Sequence, residues 1–196
     1  MRLSLLSIIG VVLFDQVVKI WVKLSFAYGE SVPVFGNWFY LHFIENPGMA
    51  FGLELGGVWG KYVLSIVRFL TVGLMIYLLR NYIKKGVSKG AILGLSLVVA
   101  GAIGNIIDGS IYGLIFSDST YHEAAVLFPE GGGYAGFLQG RVVDMLYFPL
   151  IDSHFPDWFP IWGGEPFQFF RPVFNIADTA VSIGVGLILI FKRNIF

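Results

Sequence analysis

Apolar residues form four long runs along this chain, in contrast to the short amphipathic stretches of a soluble domain. The runs cover approximately residues 3–22, 59–79, 91–107 and 173–191. Each is long enough to cross a bilayer as a helix, which takes roughly 17 to 25 residues. Polar residues interrupt the first run at Asp15, Gln16 and Lys19, and no small-residue cleavage site follows it. We therefore predict a retained anchor, and four transmembrane helices in a single domain of residues 1–196.

Basic residues at the ends of these runs predict the orientation of the chain. Lys and Arg are retained on the cytoplasmic side of a membrane. Seven of the 13 basic residues flank the runs on one side: Arg2, Arg80, Lys84, Lys85, Lys89, Lys192 and Arg193. Both termini are thus predicted to be cytoplasmic, and the segments of about 23–58 and 108–172, which hold most of the carboxylates, are predicted to face outward.

The two outer segments differ in pattern. Residues 32–53 are rich in aromatic and β-branched residues and are interrupted by turn formers at 36–37 and 46–48, which predicts a small antiparallel sheet. Its aromatic residues are expected at headgroup depth, either as an interface belt or as a platform that holds a substrate: Trp38, Phe39, Tyr40 and Phe43. The aromatic, proline-containing run 155–170 is predicted to be irregular structure on the membrane surface. The predicted fold is therefore an all-α membrane bundle of four helices with a small outer sheet and a long outer loop.

Composition excludes several classes of function. The chain is 56% hydrophobic and 13% charged, whereas charged residues form about a quarter of an average soluble domain. Its formal net charge is zero, so it lacks the basic surface that nucleic-acid binding needs. With no cysteine and three scattered histidines, thiol chemistry is excluded and a metal site is not expected. We expect no cofactor.

Ionisable residues within apolar runs indicate a site, because a charge at the bilayer centre costs roughly 2.5 to 3.5 kcal/mol. Asp15 and Lys19 are four residues apart and are expected to pair, with a packing role. Lys61 and Arg68 are expected to snorkel or to pair. Asp178 is the sixth residue of the last run, which predicts a depth of roughly 8 Å below the helix start.

Asp144 follows an apolar pair, and the predicted topology brings it to the same membrane depth as Asp178, Asn105 and Asp108. Two neighbouring aspartates can share one proton, so that one activates a water and the other polarises a carbonyl group. A proton or cation path is the alternative use of such acids. Four helices leave little room for a gated path, and a noncatalytic scaffold would have no reason to keep acids in lipid.

Five motifs in the chain resemble those of the bacterial lipoprotein signal peptidases, which are integral-membrane aspartic proteases. They occur in order at residues 14–19, 45–51, 101–108, 140–144 and 174–178, with the sequences FDQVVK, ENPGMAF, GAIGNIID, GRVVD and FNIAD. The resemblance implies that Asp144 and Asp178 are the catalytic dyad. It implies site-shaping or substrate-binding roles for seven further residues: Asp15, Lys19, Asn46, Asn105, Asp108, Arg141 and Asn175.

The resemblance also implies the substrate. In this family it is a prolipoprotein whose cysteine carries diacylglycerol, and cleavage occurs just before that cysteine. We accordingly expect a monomer that contacts membrane lipid in the bacterial inner membrane, with its active site at the outer face and the outer sheet as a cradle around the substrate. A further hypothesis is that parts of segment 108–172 close over the substrate as a flap.

One departure from the family pattern concerns Asp108. The family motif usually continues with Arg, whereas Gly109 follows here. We predict that Arg141 or Arg171 supplies the missing ion pair. Small residues at 90, 94, 100 and 104 predict a close approach of the third helix, which would bring Asn105 near the dyad, although small residues are also common in membrane helices.

Overall fold

The computed structural model describes residues 2–47, 57–169 and 171–191. Its long helices are α1 (Arg2–Ser25), α2 (Gly57–Lys84) and α3 (Lys89–Ile107), and α3 continues through a π-helical turn (Asp108–Tyr112) into the short α4 (Gly113–Ile115). Three helices are long and apolar enough to cross a membrane: Arg2–Ser25, Trp59–Lys84 and the continuous helix Lys89–Ile115. The first three predicted runs are thus confirmed as helices.

The helix in the fourth apolar run begins three residues later than predicted, at Ile176 instead of Val173. Helix α5 covers Ile176–Phe191 and has 16 residues. Val173 and Phe174 instead form a short strand, β6, and the side chain of Asn175 caps the helix by accepting a hydrogen bond from the backbone N–H of Asp178 at 2.9 Å. A capping asparagine does not adopt helical backbone angles itself, so it fixes the boundary at Ile176. Lys192 and Arg193 lie outside the described residues.

A four-stranded antiparallel sheet covers one end of the helices. It contains β1 (Ser31–Phe35), β2 (Phe39–Asn46), β3 (Val142–Tyr147) and β6 (Val173–Phe174) in the order β1-β2-β3-β6. The predicted sheet is confirmed for β1 and β2, whereas the predicted residues 48–53 lie outside the described residues. The prediction missed β3 and β6, which join the sheet from the second outer segment and place Asp144 opposite Ile44 of β2.

The aromatic run near residue 160 is more ordered than predicted. Strands β4 (Ile151–His154) and β5 (Pro166–Phe169) pair as an antiparallel hairpin. Phe155 stacks on Phe159 at a centroid distance of 5.1 Å and contacts Phe167 at 4.9 Å. The prediction of irregular structure is therefore wrong for β5, the strand that lies within the run, because aromatic pairing stabilises a local hairpin. Phe170, the last residue of the run, lies outside the described residues.

Glycines allow α3 to approach α5 and α1 closely. A Cβ atom on Gly94 would lie 2.7 Å from the backbone oxygen of Gly184, and one on Gly104 would lie 2.6 Å from Asp15 Oδ2. A Cβ atom on Gly101 would overlap the backbone oxygen of Ala177. The predicted close approach is confirmed, and it brings the C-terminal end of α3 against both neighbouring helices.

The core beside the four-stranded sheet is aromatic and aliphatic. Phe43 is fully buried there with Val22, Tyr112 and Met145, so its side chain is not part of an exposed aromatic belt. Trp38, in the turn between β1 and β2, is 54% exposed.

The segment between α4 and β3 is hydrogen-bonded to its surroundings. Tyr134 N–H donates to the Phe116 oxygen at 3.0 Å, and Gly140 N–H donates to the Gly109 oxygen at 2.9 Å. Gly133 lies so close to Gly113 that a Cβ atom would not fit. These contacts make the segment a packed layer beside the sheet, and they give no support to the flap hypothesis.

Candidate active site

A buried lysine connects α1 with the C-terminal end of α3. Lys19 Nζ lies 2.9 Å from Asp15 Oδ2 and 2.8 Å from Asp108 Oδ2, and none of the three side chains is exposed by more than 1%. The predicted pair of Asp15 and Lys19 is confirmed. The π-helical turn that begins at Asp108 brings a second carboxylate to the same ammonium group, and such turns are frequent at functional sites.

The partner of Asp108 differs from the prediction. Its ion pair is with Lys19, and its carboxylate also accepts a hydrogen bond from Gln16 Nε2 at 2.8 Å. Arg141 instead pairs with Glu45 Oε2 at 2.7 Å and with Asp118 at 3.0 Å. The prediction that Arg141 pairs with Asp108 is therefore wrong. Lys19, which lies four residues after Asp15 on α1, already supplies the cation that Asp108 needs. Arg171 is exposed and does not form that pair either.

Asn175 joins the two predicted catalytic carboxyl groups. Its side chain Nδ2 donates to Asp144 Oδ1 at 2.7 Å, and its backbone N–H donates to Asp178 Oδ2 at 3.3 Å. The backbone N–H of Asp178 in turn donates to Asn175 Oδ1. This reciprocal arrangement is a capping box at the start of α5. Asp178 therefore lies in the first helical turn, so the predicted depth of roughly 8 Å, counted along the helix, is wrong.

Asn105 links the buried lysine to Asp178. Its Oδ1 accepts from Lys19 Nζ at 2.8 Å, and its Nδ2 donates to Asp178 Oδ1 at 2.8 Å. A lysine ammonium group can only donate, so Lys19 binds the oxygen of the Asn105 amide. The NH₂ group of that amide therefore points towards Asp178. Asn46 at the end of β2 donates to Asp144 Oδ2 at 3.4 Å.

The structure brings eight of the nine predicted site residues into one hydrogen-bonded group. Arg141 is the exception, since it belongs to a separate network. The eight residues come from α1, β2, the α3 end, β3 and the start of α5: Asp15, Lys19, Asn46, Asn105, Asp108, Asp144, Asn175 and Asp178.

Asp144 is the site carboxyl group that lies outside the helices, and it is only 3% exposed. Burial and the neighbouring charge of Asp178 raise the pKa of Asp144 to about 7, against the opposing hydrogen bond from Asn175. Near neutral pH this carboxyl group can therefore hold a proton. A protonated and an ionised carboxyl group side by side can act as acid and base on one substrate bond.

A second buried ionic network, which the sequence reasoning missed, lies behind β2 and β3. Glu45 forms ion pairs with Lys23 and with Arg141, and Lys23 Nζ also contacts the Ser119 hydroxyl at 2.9 Å. The Arg141 guanidinium lies over the Tyr134 ring at 4.6 Å. The spacing 15, 19, 23 on α1 was the signal for Lys23, since residues four apart share a helix face.

A cavity of about 190 Å³ lies between α2 and α3, and it reaches Asn105, the residue that donates to Asp178. Its lining is mostly aliphatic, and Asn105 and Arg68 contribute polar groups. Within residues 2–47, 57–169 and 171–191, no group of three or more His, Asp or Glu side chains is placed to hold a metal ion.

Comparison with known proteins identifies the family. The model of a family described as signal peptidase (SPase) II matches residues 7–193. The chain belongs to the signal peptidase II family. It is 53% identical to a lipoprotein signal peptidase of Porphyromonas gingivalis over 184 residues, which cover 93% of this chain and 79% of the relative. It is 37% identical to a lipoprotein signal peptidase of Amoebophilus asiaticus, over 93% of this chain and 74% of that relative.

The fold agrees with this assignment. A bacterial membrane enzyme solved by the in meso method at 2.3 Å resolution superposes with a TM-score of 0.63 and 25% identity, over 97% of this chain and 87% of the other. Membership of the signal peptidase II family makes the chain a protease of lipoprotein processing and a bacterial inner-membrane protein. The resemblance inferred from the five motifs is confirmed, and the transporter and scaffold alternatives are set aside.

Proposed function

We propose that this signal peptidase II is an aspartic endopeptidase that cleaves diacylglyceryl-modified prolipoproteins just before the lipidated cysteine. Asp144 and Asp178 are the catalytic pair. The observation that carries the proposal is Asn175, which is fully buried and donates to both carboxyl groups. Asn175 thereby fixes the orientation of Asp144, on a strand, relative to Asp178, on a helix.

The hydrogen bonds and the raised pKa of Asp144 support a division of roles. Asp144 holds the shared proton, while Asp178, at a helix N-terminus and beside the N–H groups of Asn105 and Asn175, is the carboxylate. The oxygen of the attacking water forms a bond to the scissile carbonyl carbon, and Asp178 takes a proton from that water. The Asp144 proton moves to the carbonyl oxygen and gives a gem-diol. Asp178 then protonates the leaving nitrogen, the C–N bond breaks, and a gem-diol hydroxyl returns its proton to Asp144.

The placement in the membrane follows from the same residues. Helix α5 is the fourth span, the site lies at the outer face, and both termini are cytoplasmic. Supporting this, the site residues are grouped at the C-terminal end of α3 and the first turn of α5, whereas the basic residues 80, 84, 85 and 89 lie near the C-terminal end of α2 and the N-terminal end of α3. In this arrangement residues 1–196 act as one monomeric domain, and the outer sheet is the cradle that receives the substrate.

The test is cleavage of a diacylglyceryl-modified prolipoprotein by the purified full chain in detergent. Asp144→Asn and Asp178→Asn are each expected to lose about 10²- to 10⁴-fold in turnover, the usual contribution of a general acid or base. Asp157→Asn, at an exposed aspartate of the aromatic hairpin, is the matched control and should cleave as the wild type does.

Two results would contradict the proposal. Full turnover by either dyad variant at matched folding would remove that aspartate from the mechanism. Mass spectrometry of the released peptide checks the bond, since the peptide should end at the residue before the lipidated cysteine, and any other terminus refutes the cleavage site.

A further inference from the structure

An arginine from α2 fills the space beside Gly109. The family motif usually has Arg after the aspartate that Asp108 matches, and this chain has Gly109. A Cβ atom on Gly109 would meet its nearest neighbour, Arg68 NH1, at 3.8 Å. Arg68 and Gly109 also line one small cavity with Ile106 and Ser110. A guanidinium group is thus present at this position, although it comes from another helix.

The face of α2 that carries Arg68 points towards the protein. Lys61 on the same face donates to the Gln139 oxygen at 3.2 Å, and Val72 is buried. Leu70, on the opposite face, is 70% exposed. Because residues at 61, 65, 68 and 72 follow helical spacing, the contacts on either side of Arg68 keep its side chain on the α3 side.

The surroundings of Arg68 combine acidic and apolar groups. The carboxylates of Asp178 and Asp108 are the charges that stabilise its guanidinium. Arg68 is half-buried in the wall of the 190 Å³ cleft, where Asn105 is the other strongly polar side chain. The remaining lining is mainly aliphatic: Val67, Val72, Ala102 and Ile106.

Such a cleft fits an apolar peptide segment. Aliphatic side chains of a signal sequence can pack against its walls, but each peptide carbonyl group that leaves water needs a donor. A guanidinium group offers five N–H donors and no acceptor. Arg68 therefore provides donors for backbone oxygens in the cleft that is also lined by Asn105, the hydrogen-bond partner of Asp178.

We propose that Arg68 is a substrate-binding residue whose guanidinium, supplied from α2 in place of a side chain at Gly109, binds backbone carbonyl oxygens of the prolipoprotein in the cleft between α2 and α3. This inference rests on the proposed function. Arg68 contacts the substrate and takes no proton in the reaction.

The test measures KM and kcat for a diacylglyceryl-modified prolipoprotein. Arg68→Ala is expected to raise KM by roughly 10-fold or more, the effect of losing a charged hydrogen bond, with kcat within about 3-fold. Arg68→Lys should recover part of the loss, because lysine is a point charge without the planar fork. Arg80→Ala, at an exposed arginine on the same helix, should match the wild type.

The decisive variant is Arg68→Ala combined with Gly109→Arg. Apart from Arg68 NH1, no atom beyond the neighbouring helical turn lies within 4 Å of a Cβ atom at position 109. The new side chain can therefore start from the helix without a clash, and the double variant should restore a low KM. A purely structural role would not be rescued from a different helix. KM is also independent of the fraction of enzyme that is inactive, so partial misfolding does not imitate the expected result.

The outcomes separate the two proposals. A wild type that cleaves, with an Arg68→Ala variant of unchanged KM, overturns the role of Arg68 alone. A raised KM that neither Arg68→Lys nor Gly109→Arg lowers also overturns it. A wild type that cleaves no prolipoprotein overturns the proposed function and this inference with it.

Discussion

Removing the charge of Lys19 should destabilise the protein strongly. Lys19→Met keeps much of the side-chain volume but leaves Asp15 and Asp108 facing each other without a cation, and all three residues are fully buried. Breaking a buried ion pair by removing one partner costs about 3 to 5 kcal/mol. Because Lys19 has two carboxylate partners, at 2.9 and 2.8 Å, we expect the upper part of that range.

The corresponding assay is thermal unfolding of the purified protein in detergent. A loss of 1 kcal/mol lowers Tm by about 2 to 4 °C in a chain of this size, so a loss of about 4 to 5 kcal/mol should make Lys19→Met melt about 8 to 20 °C below the wild type. Lys84→Met is the matched control, since Lys84 is exposed in the last turn of α2. Its Tm should change by less than about 2 °C, as is usual for surface substitutions.

A triple variant separates charge from packing. Lys19→Met combined with Asp15→Asn and Asp108→Asn removes all three charges and should recover much of the lost Tm, because replacing a whole buried ionic group is often neutral. The reasoning is refuted if Lys19→Met melts within 2 °C of the wild type, or if the triple variant is less stable than the single one.

Three further predictions follow from the same structure. Because the pKa of Asp144 is raised to about 7, its proton is lost as pH rises through 7, so kcat/KM should fall above that pH; a profile that is still rising at pH 9 would contradict the assignment. Position 101 has no room for a Cβ atom, so Gly101→Ala should lower the free energy of unfolding by about 1 to 3 kcal/mol. Gly73→Ala is the control and should leave stability unchanged, because a Cβ atom there would have no neighbour within 4 Å. Equal Tm values for the two variants would refute the packing argument. Glu45→Gln should lower Tm because it leaves the buried Lys23 without its carboxylate and removes one of the two carboxylates that pair with Arg141. Glu130→Gln at an exposed site should have no effect, and equal melting of the two variants would contradict this.

The helices and most site residues could be predicted because their signals are local or carried by motifs. Three of the apolar runs became long helices, and the spacing of Asp15 and Lys19 gave their pair directly. Strand β3 was missed because its first four residues are all buried. A short buried strand has no alternation and resembles any other apolar run.

Contacts between distant segments were harder to predict. Arg141 or Arg171 was expected to pair with Asp108 because Gly109 replaces the arginine of the family motif, but Arg141 pairs with Glu45 and Asp118 instead. Neither the pairing of Glu45 with Lys23 nor the position of Arg68 beside Gly109 has a local signal. Both depend on how α1 and α2 rotate against the rest of the fold, which packing decides.

The order of elements along the chain has a consequence for biosynthesis. Residues 173–191 are translated after the other helices and the first three strands of the four-stranded sheet, and they carry both Asn175 and Asp178. A nascent chain that lacks them has Asp144 without the amide donor at 2.7 Å and without the second carboxyl group. The proposed protease therefore stays inactive during synthesis, and the docking of α5 against the glycines of α3 is the assembly step that switches it on.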